Sequence, residues 1–509
     1  HIDLVDNSKI RVGTGDDLQI YHDGANSYVS DQGTGDLRLS GNVVKFNNQG
    51  NTATMVKATQ GGSVELNYDN SKKLETISSG AKITGVLEVT QEYPSIRPTL
   101  DLNFAATKTL DRRITFTRDS VGTYVDDMGI IKYASNNTPR FDHDPVTGES
   151  LGLLIEESRT NQMINSSDIT GDTAQNGTIT GNVTTAPDGT TTADQYAANS
   201  TNGIHRVDMP FTSGQISNST AYTFSVFVKA NGYDKLHIRY AGYNADNHGR
   251  GYDLSDGSTF DGKFDGTSAL GAVTSSSMIE YPNGWYRCSF TVTTAADAAS
   301  GVAQLLYYIS NSESTTNFAG DGSSGMYFWG AQMEAGSFPT SHIPTSGSTV
   351  TRAVDTAIIK GTNFTDFYNA SESTIFFESG VAPITNSKYF TFHGSDGGGT
   401  ELIEAAAVSG PGANIFTYAN STVYSNAQVT DSGATTLKYA AGIKANDINL
   451  AINGTLGTTD TSSTQPDALD KLIIGNYSSG NYYINTSIKK LSYYNKRLPN
   501  AQLQGLTQQ

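Results

Sequence analysis

The sequence predicts an all-β protein of several folded units, on three observations. Its 509 residues exceed what one hydrophobic core usually organises. Gly (52) and Tyr (27) are plentiful and charged residues make up only 16%, a balance suited to short strands joined by tight turns. Segment after segment alternates apolar with polar residues, the period of a half-buried strand. The expected order is a repeat-built β stalk over 1–92, a connector over 93–161, and two β-sandwiches over 162–358 and 359–509.

In the stalk, GTGD occurs at 13–16 and again at 33–36, a period of twenty residues. Each copy leads into an alternating run: DLQIYHDG with Leu18 and Ile20 on one face, and DLRLSG with Leu37 and Leu39. A third variant, VELNYDNSKKLETI, alternates Val64, Leu66 and Tyr68 before a turn at Asp69-Asn70, and GVLEVT (85–90) reads as a last strand. Such hairpins carry too little apolar surface to bury alone, so they need neighbours. Three chains wound around one axis supply them, and a homotrimer is expected. DLQIYHDGANSYVSDQGTGDLRLSG and VELNYDNSKKLETISSGAKITG resemble the repeats of tail fibres from marine bacteriophages, particularly those infecting cyanobacteria. The resemblance implies a tail-fibre location on the virion and attachment to a host. The chain begins at His1 rather than Met, so contact with other tail or virion proteins is expected through the N-terminal segment or one preceding it.

Residues 97–161, RPTLDLNF to EESRTN, are similar to a connector of phage tail proteins that precedes a jelly-roll module. Within it FDHDP (141–145) has the look of a reactive site. In an extended strand Asp142 and Asp144 share a side while His143 faces away, so the trio is not expected to chelate as a unit. Three readings stand: a turn opened by Asp144-Pro145 and closed by Thr147-Gly148, a calcium-binding corner using Asp142, Asp144 and Glu149, or a catalytic site.

The first sandwich is predicted from YTFSVFVKA (222–230), KLHIRYAGY (235–243), GWYRCSFTV (284–292), VAQLLYYI (302–309) and MYFWGAQMEAG (326–336), separated by Gly, Asn and Asp. The order SVFVKA, YDLSDG, NGWYR, FWGAQMEAG and PTSHIPTSGSTVTRA resembles jelly-roll modules, similar to carbohydrate-binding modules, of phage tail proteins. The last segment, with STIFFESG, KYFTFHG, DINLAINGT, DKLIIGNY and INTSIKKLSYYNKRLPNAQLQGL, follows the order of laminin-G or concanavalin-like sandwiches. A short closing helix is expected to open at Pro499 or Asn500 and dock Leu503 and Leu506.

Charge narrows the partners. With 33 Lys and Arg against 50 Asp and Glu, the net charge of -17 repels phosphate backbones and anionic lipid headgroups, so nucleic acid is not an expected partner. No run of about 18 apolar residues argues for membrane insertion, and no basic, apolar leader is visible. Cys288 alternates with Tyr286, Phe290 and Val292, the position of a packed core thiol. No HExxH, Walker loop, paired CxxC or GxSxG occurs, and glycine-rich GSDGGGTEL (394–402) lacks the Lys-Ser/Thr ending of a phosphate loop. No cofactor and no catalytic residue is assigned.

Sugar recognition uses rings on apolar sugar faces with polar side chains on the hydroxyls. Trp285 and Trp329 fall in strands that read as sandwich framework. Tyr240, Tyr243 and His248 in RYAGYNADNHGRGY, and Tyr477, Tyr482 and Tyr483 in NYSSGNYY, are the candidate glycan-binding residues, against a plain solvated loop in each case. The function expected is a non-enzymatic tail-fibre adhesin for host surface polysaccharide. The alternatives are a virion-bound glycan hydrolase and a head or baseplate decoration protein.

Overall fold

A computed structural model describes residues 2–78, 80–84, 97–211, 214–380, 387–394, 401–407, 412–419, 422–430, 436–466, 468–477 and 482–508. The chain forms two compact units, His1–Gln91 and Glu92–Gln509.

The first unit holds two antiparallel sheets. Three strands, Lys9–Val12, Leu18–His22 and Ser27–Asp31, make one; five, Val43–Asn47, Thr54–Thr59, Val64–Tyr68, Ser71–Ile77 and Gly80–Ile83, make the other. The turn at Asp69-Asn70 forms with both residues at positive φ, +48° and +59°, the backbone of a tight hairpin that follows the strands' right-handed twist. DLRLSG does not form the predicted strand: residues 36–40 carry no ladder, although GTGD at 13–16 turns between two strands. Repetition in sequence is therefore not repetition in structure here. GVLEVT lies outside the described residues.

No described residue of 2–84 is buried. In the five-stranded sheet Phe46, Val56, Leu66, Leu74 and Ile83 stand in register across all five strands. The adjacent row is Lys45, Lys57, Glu65, Glu75 and Lys82, in which Glu65 pairs with Lys57 at 3.6 Å and Glu75 with Lys82 at 3.6 Å. Because successive side chains alternate across a sheet, one face is an apolar ladder and the other a charged one.

The second unit contains both sandwiches. In the middle one, a sheet ordered Thr173–Gln175, Asn202–Pro210, Gln304–Ser310, Lys235–Ala241, Asn247–Asp253, Ser258–Phe260 faces another ordered Gly177–Thr184, Ala193–Ala198, Gly325–Ala335, Ala221–Asn231, Trp285–Thr293, Ser275–Tyr281. Phe224, Val226 and Val228 on one side and Leu236, Ile238 and Tyr307 on the other fill the space between them. Cys288 is fully buried in this core, and burial pushes its thiol pKa up.

The last sandwich draws strands from both sides of the middle one. Leu100–Asn103 and Ser150–Ile155 pair with Thr486–Tyr494, and Thr115–Thr117 pairs with Thr356–Lys360. Leu100, Leu102, Phe104, Phe116, Leu153 and Ile155 sit in one core with Ile375, Phe377, Phe390, Phe392 and Tyr493. The segment read as a connector is thus sheet and core of this sandwich, and the middle sandwich is inserted within it. Where the chain enters and leaves the insertion, Arg159–Asn161 pairs with Val350–Arg352. The closing helix, Asn500–Thr507, forms with Pro499 at its N-cap, and Leu503 buries against Phe376, Ala440 and Tyr494.

Beside that entry point Asp355, fully buried, gathers the segments. It accepts from Arg118 at 3.1 Å, from Arg140, and from the backbone of Glu156 at 2.9 Å. Glu156 in turn meets Arg140 at 2.7 Å and Arg352 at 3.0 Å, and Ser341 of the middle sandwich at 2.7 Å. Three arginines and two carboxylates share one buried knot, each charge with a partner, as burial demands.

Candidate functional site

Of the candidates on the middle sandwich, Tyr240 is corrected: it is fully buried and stacks on Phe224 with centroids 5.5 Å apart. Alternation in Lys235–Ala241 turns it inward with Leu236 and Ile238, and burial pushes its hydroxyl up to about 12. Tyr243 keeps 36% of its surface exposed and packs against Gly301, where an added Cβ would come within 2.0 Å of the ring. His248 has both ring nitrogens engaged, Nε2 with Asp246 at 2.7 Å and Nδ1 with the carbonyl of Ala272 at 2.6 Å. This rim therefore offers one exposed ring rather than a cluster.

Trp285 and Trp329 are framework, 2% exposed each, with their indole N–H groups donating to the Thr185 carbonyl and the Thr192 hydroxyl, both at 3.1 Å.

FDHDP forms its turn. The Asp144 carboxylate accepts from the N–H of Val146 at 2.9 Å and of Thr147 at 2.7 Å, and Gly148 N–H reaches the Asp144 carbonyl. The calcium corner is not assembled: Asp142 accepts from the Val125 N–H at 2.7 Å, Glu149 pairs with Lys489, and no group of three or more His, Cys, Asp or Glu is placed to hold a metal among the described residues. One expectation fails for a clear reason. A bulge between Asp142 and His143 breaks the alternation, and His143 Nδ1 donates to the carbonyl of the same Val125 at 2.9 Å.

The third cluster divides. Tyr483 is 6% exposed and packs in the last sandwich's core, whereas Tyr482, at φ +61°, turns its ring outward and is 54% exposed. Tyr477 stands edge-on to Tyr482, centroids 6.4 Å apart, and 6.3 Å from the ring of His393. These rings border the outer face of the sheet formed by Lys388–Gly394, Leu402–Ala407 and Gly412–Ala419, whose inner face carries Phe390, Phe392, Ile403, Ala405 and Ile415.

Across the outer face Thr391, Glu404 and Phe416 stand in register. Lys388 Nζ bonds Glu404 at 2.7 Å and lies 5.7 Å from the Tyr482 centroid and 5.8 Å from that of Phe416, a cation between two rings. Below them, His393 Nδ1 donates to the Gly394 carbonyl at 2.7 Å, which leaves Nε2 as an acceptor. That atom, Asn414 Oδ1 and Asn476 Oδ1 are buried without a partner among the described residues. Lys388, His393, Glu404, Asn414 and Phe416 were not singled out from sequence. The available signal was KYFTFHG itself, where Thr391 and His393 alternate with core phenylalanines on a strand buried on both faces.

No protein-family model matches the chain, and no curated protein matches it in sequence. Among solved structures it is similar to the carbohydrate-binding module of Ruminococcus gnavus IT-sialidase bound to α2,3-sialyllactose, with 16% identity, 27% of this chain and 84% of that one covered, and a TM-score of 0.24. It is similar to mouse laminin α1 domains LG4-5 at 12% identity, 59% and 86% coverage and TM-score 0.20. For the tandem N-terminal module of Paenibacillus barcinonensis Xyn10C the values are 9%, 66%, 96% and 0.21. The all-β sandwich fold is read from this chain's own sheets.

Proposed function

We propose that this chain is the receptor-binding part of a bacteriophage tail fibre, a non-enzymatic adhesin that retains host surface glycan on the outer sheet of its last sandwich. The observation that carries the reading is the exposed Tyr482 ring beside Tyr477 and the Lys388–Glu404 pair. The exposed Tyr482 ring supplies stacking area for a sugar, and the largely buried Lys388–Glu404 pair at its side supplies directed hydrogen bonds.

A shallow site of this kind binds weakly, and multiplicity offsets the weakness. The apolar ladder of Phe46, Val56, Leu66, Leu74 and Ile83 supports a homotrimer, since a single-layered sheet leaves it in water and copies of the same ladder cover one another. Attachment to the virion would then fall to the N-terminal side.

The test is incubation of the purified chain with surface polysaccharide from marine cyanobacteria. An adhesin retains the polymer at constant length and loses retention in Tyr482→Ala. Progressive shortening of the polymer overturns the reading in favour of a hydrolase. Absence of retention in the unaltered chain favours a decoration protein.

A further inference from the structure

The bulge in FDHDP has its place on the wall of a cavity of about 280 Å³ inside the second unit, where the last sandwich's strands meet the middle sandwich. One side is Val125, Ile131, Asp142 and His143; the other is Phe227, Ile279, Tyr281, Arg287 and His342. Four buried polar atoms of residues that line it have no partner among the described residues: His143 Nε2, Arg287 Nε, and both ring nitrogens of His342.

Each such atom costs free energy unless something fills its valence. The four are not equivalent. His143 donates through Nδ1, so its Nε2 is an acceptor; Arg287 Nε is a donor; a neutral His342 ring presents one donor and one acceptor. Asp142 adds a carboxylate that meets Val125 through only one oxygen. Phe227 and Tyr281, packed edge-to-face at 5.1 Å, supply aromatic surface. A lining that carries both donors and acceptors beside aromatic rings matches a molecule whose hydroxyls both give and take hydrogen bonds. A bare cation has too few ligands here, and a simple anion would face Asp142.

We propose that this cavity binds one sugar ring, a free monosaccharide or the terminal residue of a glycan, with Asp142, Arg287, His143 and His342 on its hydroxyls and Tyr281 and Phe227 against its apolar face. The site is independent of the outer sheet: it takes a chain end inside a cavity, whereas the sheet face takes a length of polymer.

The molecule carries its own reporter. Its two tryptophans, Trp285 and Trp329, pack in one buried cluster with Val125, Ile131, Phe227 and Tyr281, and Trp329 lies 4.6 Å from the His342 ring. Residues 477–483 contain no tryptophan. The full chain is titrated with glucose, galactose, mannose, rhamnose and N-acetylglucosamine to about 50 mM while tryptophan emission is followed, the range suited to a Kd near 1 mM.

A saturable change with at least one sugar is expected. Asp142→Asn keeps an acceptor for Val125 but removes the charge and should weaken the effect at least tenfold. Ile279→Tyr, at a position 42% exposed, narrows the entrance and should abolish it. Tyr482→Ala should leave it unchanged. No saturable change with any of the five sugars overturns the proposal, and the cavity then holds water only; so does a change that survives both cavity variants undiminished. Loss of polysaccharide retention in Tyr482→Ala with an intact titration separates the two sites, and failure of retention alone sinks the sheet-face reading without touching this one.

Discussion

The five-stranded sheet of the first unit and the sheets of the middle sandwich are written in the same alternating pattern, yet they end in opposite environments. Leu66 and Phe46 keep 43% and 51% of their surface exposed, while Phe224 and Val226 keep 1% each. The pattern decides which way a side chain points; only a second layer decides whether it leaves water. The sandwiches bring their own second layer, and the thin sheet brings none among its described residues.

The sharpest way to break this comparison is to remove a layer from a sandwich. A fragment beginning at residue 160 loses Leu100–Asn103, Thr115–Thr117 and Ser150–Ile155, and with them the core side chains Leu100, Leu102, Phe116, Leu153 and Ile155 of the last sandwich, besides Phe104 and Ile114. That exceeds the about 5 to 15 kcal/mol by which a domain is stable. We expect no cooperative unfolding of the last sandwich in that fragment and a normal transition in one beginning at residue 97, measured by circular dichroism during heating. Equal transitions in both would mean that the shared core contributes nothing.

Next in size is Asp355→Asn. It removes a charge from the buried knot and leaves Arg118 and Arg140 short of their counter-charge, a loss of about 3 to 5 kcal/mol for a broken buried pair. Denaturant unfolding followed by tryptophan emission reports the second unit, which holds both tryptophans. An unchanged midpoint would show that the knot is a passive filling of the joint.

The reverse experiment belongs to the first unit. Leu66→Lys places a charge in the middle of the apolar ladder, where three stacked copies would have to bury it. The full chain should sediment as a trimer and the variant as smaller species, with no shift in the unfolding of the sandwiches. A monomeric unaltered chain at micromolar concentration would leave the exposed ladder without its expected cover and the fibre reading without its main support.

These expectations also mark how far the sequence could be read. The strands of the sandwiches, the Asp69-Asn70 hairpin and the closing helix followed from alternation and turn chemistry, because those signals are local. The pairing of Leu100–Asn103 with Thr486–Tyr494 did not, since nothing in either segment names a partner almost four hundred residues away. Two side chains turned on alternation. It was not applied to Tyr240, which faces inward with Ile238, and it was applied to His143 across a bulge that no residue type announces. In the candidate site, exposed tyrosines were legible as aromatic residues in a polar stretch, but the choice between Tyr482 and Tyr483 depended on a positive φ.

Protonation offers a gentler test, because two carboxyls near the joint are displaced in opposite directions. Burial pushes Asp142 up to about 6, while Arg352 and Arg140 overcome burial and hold Glu156 at about 2. Glu156 contributes stability that is present above its ordinary range and lost as pH falls through about 2. Asp142 works the other way: its contribution is complete below about 3.8 and lost as pH rises through about 6. From this pair alone the second unit should be most stable near pH 4, where Glu156 has gained most of its contribution and Asp142 has only begun to lose its own. Asp142→Asn should flatten the upper slope and leave the lower one. A profile that keeps its upper slope in Asp142→Asn would place the titration on another group.

The smallest effect separates two neighbours. Tyr482→Ala removes a ring that is more than half in solvent, so the melting temperature should barely move, while polysaccharide affinity falls by about tenfold, or about 1.4 kcal/mol. Tyr483→Ala opens a hole beside Ile155 and Ile484 in the core and should cost about 3 to 5 kcal/mol of stability, with retention unchanged per folded molecule. Retention assays and thermal melts on the same two variants give the comparison at the scale of one peptide bond. If Tyr482→Ala retains polymer as well as the unaltered chain, the exposed ring is only the outer half of a turn, and the search for the glycan site moves to Tyr243 on the middle sandwich.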